Sequence, residues 1–125
     1  MPSVLVVEDN EFIRTALEHL MDKEGMLVAV ANNGAEAFRL LDSIRFDLMI
    51  TDMMMPEVTG IEVIKHIKKD PDKAHMGIIV VSSMDAERFV NDAYRLGVDE
   101  YIVKPFMPFE LMLRIKKVFS EKGIR

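Results

Sequence analysis

Half of the 125 residues are apolar, and a chain of this length can bury roughly two-thirds of its unfolded surface, so we expect one globular domain over residues 1–125. The formal net charge of −5 disfavours direct binding to nucleic acid, and the absence of cysteine excludes disulfides, thiolate zinc sites and cysteine nucleophiles. A charged-then-apolar leader and a long apolar run are both absent from the sequence, which predicts a cytoplasmic protein that does not enter a membrane.

Short apolar runs alternate along the chain with stretches of helical periodicity. An apolar run of about four to eight residues between turn signals is typical of a strand buried on both faces of a parallel sheet. Such runs predict five strands, over residues 3–7, residues 27–31, a third run ending at Asp52, residues 78–82 and residues 101–103.

Apolar positions three and four residues apart predict a helix after each strand. The first is predicted from Glu11 to Lys23, with Asp9 or Asn10 as its N-cap and Gly25 just past its end. The other four are predicted from Asn33 through Ile44, from Val58 to Lys69, from near Asp85 with Phe89, Ala93 and Leu96 facing inward, and from Pro108 to Gly123. Strict alternation predicts a doubly wound α/β fold, with a parallel sheet covered by helices on both faces.

Polar residues stand where the predicted strands end. They are Glu8 and Asp9 after the first strand, Asp52 after the third, Ser82 after the fourth and Lys104 after the fifth. Each alone has a local explanation, as a helix cap, a turn residue or a solvated strand end. The carboxyl ends of parallel strands meet at one edge of the sheet, where ligands bind, so all five are expected to form one site.

The charges of this predicted site indicate a metal. Three carboxylates and one ammonium leave a formal charge of −2, and unit charges ~4 Å apart interact by about 4 kcal/mol near a protein surface. Oxygen ligands without Cys or His suit Mg²⁺. A magnesium ion, a fixed lysine and a hydroxyl neutralise a transferring phosphoryl group, and a carboxylate can accept that group covalently.

The chain resembles, over its whole length, the response-regulator receiver domains of two-component signalling, and in particular chemotaxis regulators. The matching residues occur in the family's order and spacing: Glu8-Asp9, Asp52 followed by Met53-Met54-Met55-Pro56 and Gly60, Ser82, Tyr101, and Lys104-Pro105-Phe106. The resemblance implies a flavodoxin-like fold with strand order 2-1-3-4-5. It also implies a cis peptide bond between Lys104 and Pro105.

The resemblance further implies a role for each acidic residue of the site. Asp52 is expected to accept a phosphoryl group from a phosphohistidine on a sensor histidine kinase or a phosphotransfer protein. Glu8, Asp9, Asp52 and the backbone carbonyl of Met54 are expected to bind Mg²⁺.

Three further residues complete the implied switch. Lys104 is expected to hold the phosphoryl oxygens, Ser82 to move and bond them, and Tyr101 to swing inward as the readout. Such a domain catalyses only its own phosphorylation and dephosphorylation and is no enzyme in the usual sense.

Three other classes share parts of this pattern. A flavodoxin-like redox protein must cradle a phosphate in its first turn, where Glu8 and Asp9 would repel it. A haloacid-dehalogenase-type phosphatase carries an Asp-x-Asp after its first strand, and this chain has no such pair. A phosphorylation-independent binding module is the third alternative, which the intact Asp52 and Lys104 disfavour.

Partners beyond the kinase follow only from the resemblance. The family signals through the face of its fourth helix, fifth strand and fifth helix, which here is expected to expose Asp92, Asp99, Glu100, Arg114 and Lys116. A phosphatase and a homodimer formed on activation are further expected partners. The kinase, the pathway and the output stay open at this stage.

Overall fold

The computed structural model describes residues 1–125, and its centre is a five-stranded parallel sheet with helices on both faces. The strands are β1 (Ser3–Val7), β2 (Leu27–Ala31), β3 (Leu48–Thr51), β4 (Gly77–Ser82) and β5 (Glu100–Val103). The helices are α1 (Glu11–Lys23), α2 (Gly34–Ser43), α3 (Gly60–Lys69), α4 (Glu87–Arg95) and α5 (Pro108–Lys122), with a 3₁₀ turn at Pro71–Lys73. The strand order is β2-β1-β3-β4-β5, so the predicted fold and the implied order are both confirmed.

The sheet separates two apolar layers because successive residues of a strand point to opposite faces. On β1, Val4 and Val6 pack with α1 and α5, whereas Leu5 and Val7 pack with α2, α3 and α4. Every residue of β3 and β4 is buried. The carboxyl ends of the central strands are therefore held by packing on both sides.

Several helices begin and end at residues whose side chains or backbone conformations favour a helix terminus. The side-chain oxygens of Asn10, Asn33 and Thr59 each accept a hydrogen bond from the first turn of α1, α2 and α3. Gly25 and Gly123 follow α1 and α5 in the left-handed conformation, with φ of 81° and 68°. None of the helices has the length and apolarity that crossing a bilayer requires.

Some predicted boundaries were wrong by a few residues. Helix α3 begins at Gly60 and not at Val58, because the chain first makes a turn at Glu57 and is capped by Thr59. Helix α2 ends at Ser43, and Ile44 is its extended C-cap. The third strand ends at Thr51, one residue before Asp52.

The inner face of α4 also differs from the prediction. The helix begins at Glu87, and Val90 and Leu96 pack with buried Ala93 against the core. Phe89 is half-buried, and the Arg88 guanidinium lies 4.8 Å from its ring centre. Because the first turn of α4 lacks a side-chain cap, periodicity alone placed its start too early.

Candidate functional site

The sheet itself positions the three charged groups of the site. Each follows the last residue of a strand, and its backbone N–H continues the hydrogen-bond ladder to the neighbouring strand. These bonds join Glu8 N to Ala31 O (3.0 Å), Asp52 N to Val7 O (3.1 Å) and Lys104 N to Ser82 O (2.8 Å). These three residues therefore lie together at one edge of the sheet, as the sequence predicted.

Lys104 joins the two inner carboxylates. Its Nζ lies 2.5 Å from Glu8 Oε1 and 3.0 Å from Asp52 Oδ2. The side chains of Glu8, Asp52 and Lys104 are 3%, 12% and 15% exposed, so the two ion pairs that they form are shielded from solvent. Asp9, by contrast, is exposed at the mouth of the site.

Burial and charge shift two pKa values in this cluster. Burial raises the pKa of the Glu8 carboxyl, against the lowering effect of hydrogen bonds from Lys104 and from the Asn10 N–H. Burial alone would lower the pKa of Lys104, but hydrogen bonds to Glu8 and Asp52 outweigh it and the pKa is raised. Lys104 therefore keeps its charge at neutral pH. Keeping the buried Glu8 carboxyl ionised lowers the stability of the fold, and a further cation beside it would offset that loss.

The carboxylates fit a hard divalent cation. One oxygen each from Glu8, Asp9 and Asp52 lies within 4.8 Å of the other two. The donors are all oxygens, as Mg²⁺ prefers, and the exposed side of the cluster leaves room for the waters that Mg²⁺ retains. The Met54 carbonyl stays a predicted ligand, and the Met54 N–H donates to Asp52 Oδ1 at 3.2 Å.

Ser82 and Tyr101 are connected through the backbone of Met84. The Met84 N–H donates to Ser82 Oγ at 3.1 Å, and the Tyr101 hydroxyl donates to the Met84 carbonyl at 2.6 Å. Tyr101 already lies inward, 7% exposed, so the expected inward swing is not needed to reach this position, and burial raises the pKa of its hydroxyl. Ser82 and Tyr101 are therefore joined by two hydrogen bonds to the same residue.

The loop after Asp52 turns tightly around a glycine. The Gly60 N–H donates to the Met53 carbonyl at 3.0 Å. A Cβ at Gly60 would overlap the Asp52 carbonyl oxygen. The glycine of the sequence motif is therefore required by close backbone approach beside the candidate phosphoacceptor.

Sequence reasoning missed two contributors to the site. Met84 acts through its backbone, which leaves no residue-type signal. Arg14 on α1 donates from Nη1 to the carbonyl oxygens of Glu8 at 3.1 Å and Asp9 at 3.4 Å. Its position about one helical turn after the acidic pair could have indicated this contact.

The bond between Lys104 and Pro105 is cis, as the resemblance implied.

The expectation that Glu100 offers a free charge on the face of α4, β5 and α5 was wrong. Glu100 is 6% exposed, and its carboxylate pairs with Arg114 at 2.6 Å and Lys117 at 3.3 Å. Asp99 is half-buried and accepts a hydrogen bond from the Ile78 N–H at 2.8 Å. Asp92 and Lys116 are exposed as expected.

Comparison with protein families gives one match that spans most of the chain. The family model described as response regulator receiver domain matches residues 4–116. The matched range includes all the site residues described above.

Individual relatives agree with this match. The chemotaxis protein CheY of Thermotoga maritima is 38% identical over 117 residues, which cover 92% of this chain and 95% of that protein. The transcriptional regulatory protein PhoP of Bacillus subtilis is 33% identical over 97% of this chain, which spans only 50% of that protein's length. The solved structure of a Vibrio cholerae chemotaxis protein superimposes with a TM-score of 0.89 at 29% identity, covering 94% of this chain and 98% of that one.

Proposed function

Because this chain belongs to the response regulator receiver domains of two-component signalling, we propose that Asp52 accepts a phosphoryl group from a phosphohistidine on a histidine kinase or phosphotransfer protein. Receiver domains are signalling switches and not conventional enzymes. The observation that carries the proposal is the placement of Asp52 at the sheet edge, 3.0 Å from Lys104 and beside Glu8 and Asp9.

The proposed reaction is an in-line displacement at phosphorus. A carboxylate oxygen of Asp52 forms a bond to phosphorus as the bond from phosphorus to the partner's imidazole nitrogen breaks. The imidazole nitrogen keeps the electron pair and takes up a proton. Lys104 already contacts Asp52, so its ammonium is positioned to neutralise charge on the phosphoryl oxygens.

The acidic residues supply the metal site of the proposal. Glu8, Asp9, Asp52 and the Met54 carbonyl would hold Mg²⁺. When bound, Mg²⁺ neutralises negative charge on phosphoryl oxygens. Without a cation the three carboxylates repel each other, and Lys104 alone offsets part of that repulsion.

The switch is proposed to run from Ser82 to Tyr101. Ser82 Oγ accepts a hydrogen bond from the Met84 N–H, and its own hydroxyl proton would be donated to a phosphoryl oxygen. Movement of Ser82 toward that oxygen would displace its contact with Met84. The Met84 carbonyl holds the Tyr101 hydroxyl, so this rearrangement would change the face of α4, β5 and α5. That face is proposed to contact the output partner, and a homodimer and a phosphatase are further partners in this scheme.

The extent of the unit is also a proposal. The chain spans about half the length of the transcriptional regulators that it matches, and nearly all of the chemotaxis protein. We propose that residues 1–125 form the receiver unit in either context. With a net charge of −5, any contact with DNA would come from another domain or protein.

Intact mass measurement after incubation with a small acyl phosphate and Mg²⁺ tests the proposal. Wild type is expected to gain one phosphate, and Asp52→Asn, which keeps the side-chain shape, is expected to gain none. Asp42→Asn, at an exposed position on α2, is the control and should be modified like wild type. A full adduct in Asp52→Asn would identify another acceptor, and no adduct in wild type would favour a phosphorylation-independent binding module.

A further inference from the structure

The turn between β1 and α1 carries two residues of the metal site but has few contacts of its own. The Glu8 carboxylate is fixed from two sides, by Lys104 at 2.5 Å and by the Asn10 N–H at 3.2 Å. The Asp9 carboxylate has no hydrogen-bond or ion-pair partner, and Asp9 is exposed. The place of the Asp9 oxygens therefore depends on the backbone of the turn.

The Arg14 side chain binds the carbonyl groups of that backbone. Nη1 of Arg14 donates to Glu8 O at 3.1 Å and to Asp9 O at 3.4 Å. Neither carbonyl oxygen accepts any other hydrogen bond. Arg14 is half-buried on the second turn of α1 and forms no ion pair. Its charge is thus directed at main-chain oxygens, although three carboxylates belong to the same region.

We propose that Arg14 is a positioning residue for the proposed metal site, which fixes the Glu8–Asp9 turn so that the Asp9 carboxylate is aimed at the cation. The inference rests on the proposed function, because it takes Glu8, Asp9 and Asp52 as ligands. Groups that orient metal ligands without touching the metal typically contribute about 10-fold to 100-fold in affinity.

A positioning role and a purely electrostatic role for Arg14 predict opposite changes in Mg²⁺ affinity when its side chain is removed. A positive side chain near the site repels Mg²⁺, so loss of the charge alone would make Mg²⁺ bind more tightly. Loss of the two hydrogen bonds would loosen the turn at Asp9, and the cation would then have to order Asp9 as it binds, which weakens binding. The sign of the change in affinity therefore separates the two effects.

Calorimetric titration with Mg²⁺ alone, without phosphate, tests the proposal on folded protein. Arg14→Met keeps the apolar stem but loses donors and charge, and its Mg²⁺ Kd is expected to rise about 10-fold. Arg14→Lys keeps a charged donor and is expected to stay within about 3-fold of wild type. Arg39→Met removes an exposed arginine from α2 and serves as the charge control, with an unchanged or slightly lower Kd.

Arg14→Gln adds a second comparison, because it loses the charge but keeps one amide donor. Its Kd is expected between those of wild type and Arg14→Met. Arg14→Met and Arg14→Gln binding Mg²⁺ as tightly as wild type, or more tightly, would overturn the positioning role while leaving the metal site intact. A wild-type protein that binds no Mg²⁺ would instead overturn the proposed metal site, and this inference with it.

Discussion

Glu57 is the one non-glycine residue whose backbone is left-handed, with φ of 67°, and it lies in the loop that follows Asp52. The Val58 N–H donates to the Pro56 carbonyl at 2.8 Å, so Glu57 is the centre of a three-residue turn. A side chain in this conformation costs of order 1–2 kcal/mol. The strain lies five residues after the proposed phosphoacceptor.

Replacing Glu57 by glycine should stabilise the protein. The expected gain is about 1 kcal/mol, because glycine adopts positive φ without penalty but loses more entropy on folding. Urea unfolding measures it as a higher midpoint at unchanged slope. Glu57→Ala removes the same charge but keeps a Cβ, so it should show no gain. If Ala stabilised as much as Gly, the cause would be the charge and not the backbone.

The residues of the site could be predicted because their chemistry is local to the strand ends. Glu8, Asp52 and Lys104 each follow a recognisable apolar run, and parallel strands bring such ends together. The conformation of Glu57 could not be predicted in the same way. It belongs to the path of the loop between Asp52 and α3, where Gly60 packs closely against the Asp52 backbone.

At the scale of elements, apolar periodicity located all five strands and all five helices. By itself it did not predict the ion pairs and caps that polar side chains make at their ends and surfaces. Asparagine caps carry a clear signal, and α1 begins where it was predicted. The first turn of α4 has no such cap, and its start was predicted about two residues early. Glu100 was taken for a surface charge because a lone sequence does not reveal that α5 places two cations over it.

The contact between α5 and Glu100 should contribute measurably to stability. Arg114→Met is expected to destabilise the fold by about 1–2 kcal/mol, because it leaves a buried carboxylate with one partner, and Arg114 is itself partly exposed. Lys117→Met is the matched control and should cost less, since Lys117 is 57% exposed and 3.3 Å from Glu100. Unfolding in urea compares the two. Equal losses would mean that proximity and burial do not rank these cations.

At the scale of the whole molecule, strict alternation was enough to predict a parallel sheet covered on both faces. The strand order was not deducible from periodicity and came from the resemblance. It matters because this order makes β1 and β3 neighbours, and their adjacency brings Glu8 next to Asp52. The site therefore forms only when the sheet is assembled. Repulsion among the charges at that edge consequently lowers the stability of the folded protein.

Mg²⁺ should therefore stabilise the entire fold without any phosphate. A ligand that binds only the native state at 100 times its Kd contributes about 2.7 kcal/mol, which raises Tm by about 10 °C in a domain of this size. Asp9→Ala should lose this dependence on Mg²⁺ and, without metal, should melt no lower than wild type, because one of three repelling carboxylates is gone. Glu18→Ala removes an exposed carboxylate elsewhere on α1 and should respond to Mg²⁺ like wild type. An Mg²⁺ response that survives in Asp9→Ala would place the cation away from this cluster, since Asp9 is the proposed ligand whose carboxylate has no other contact to maintain.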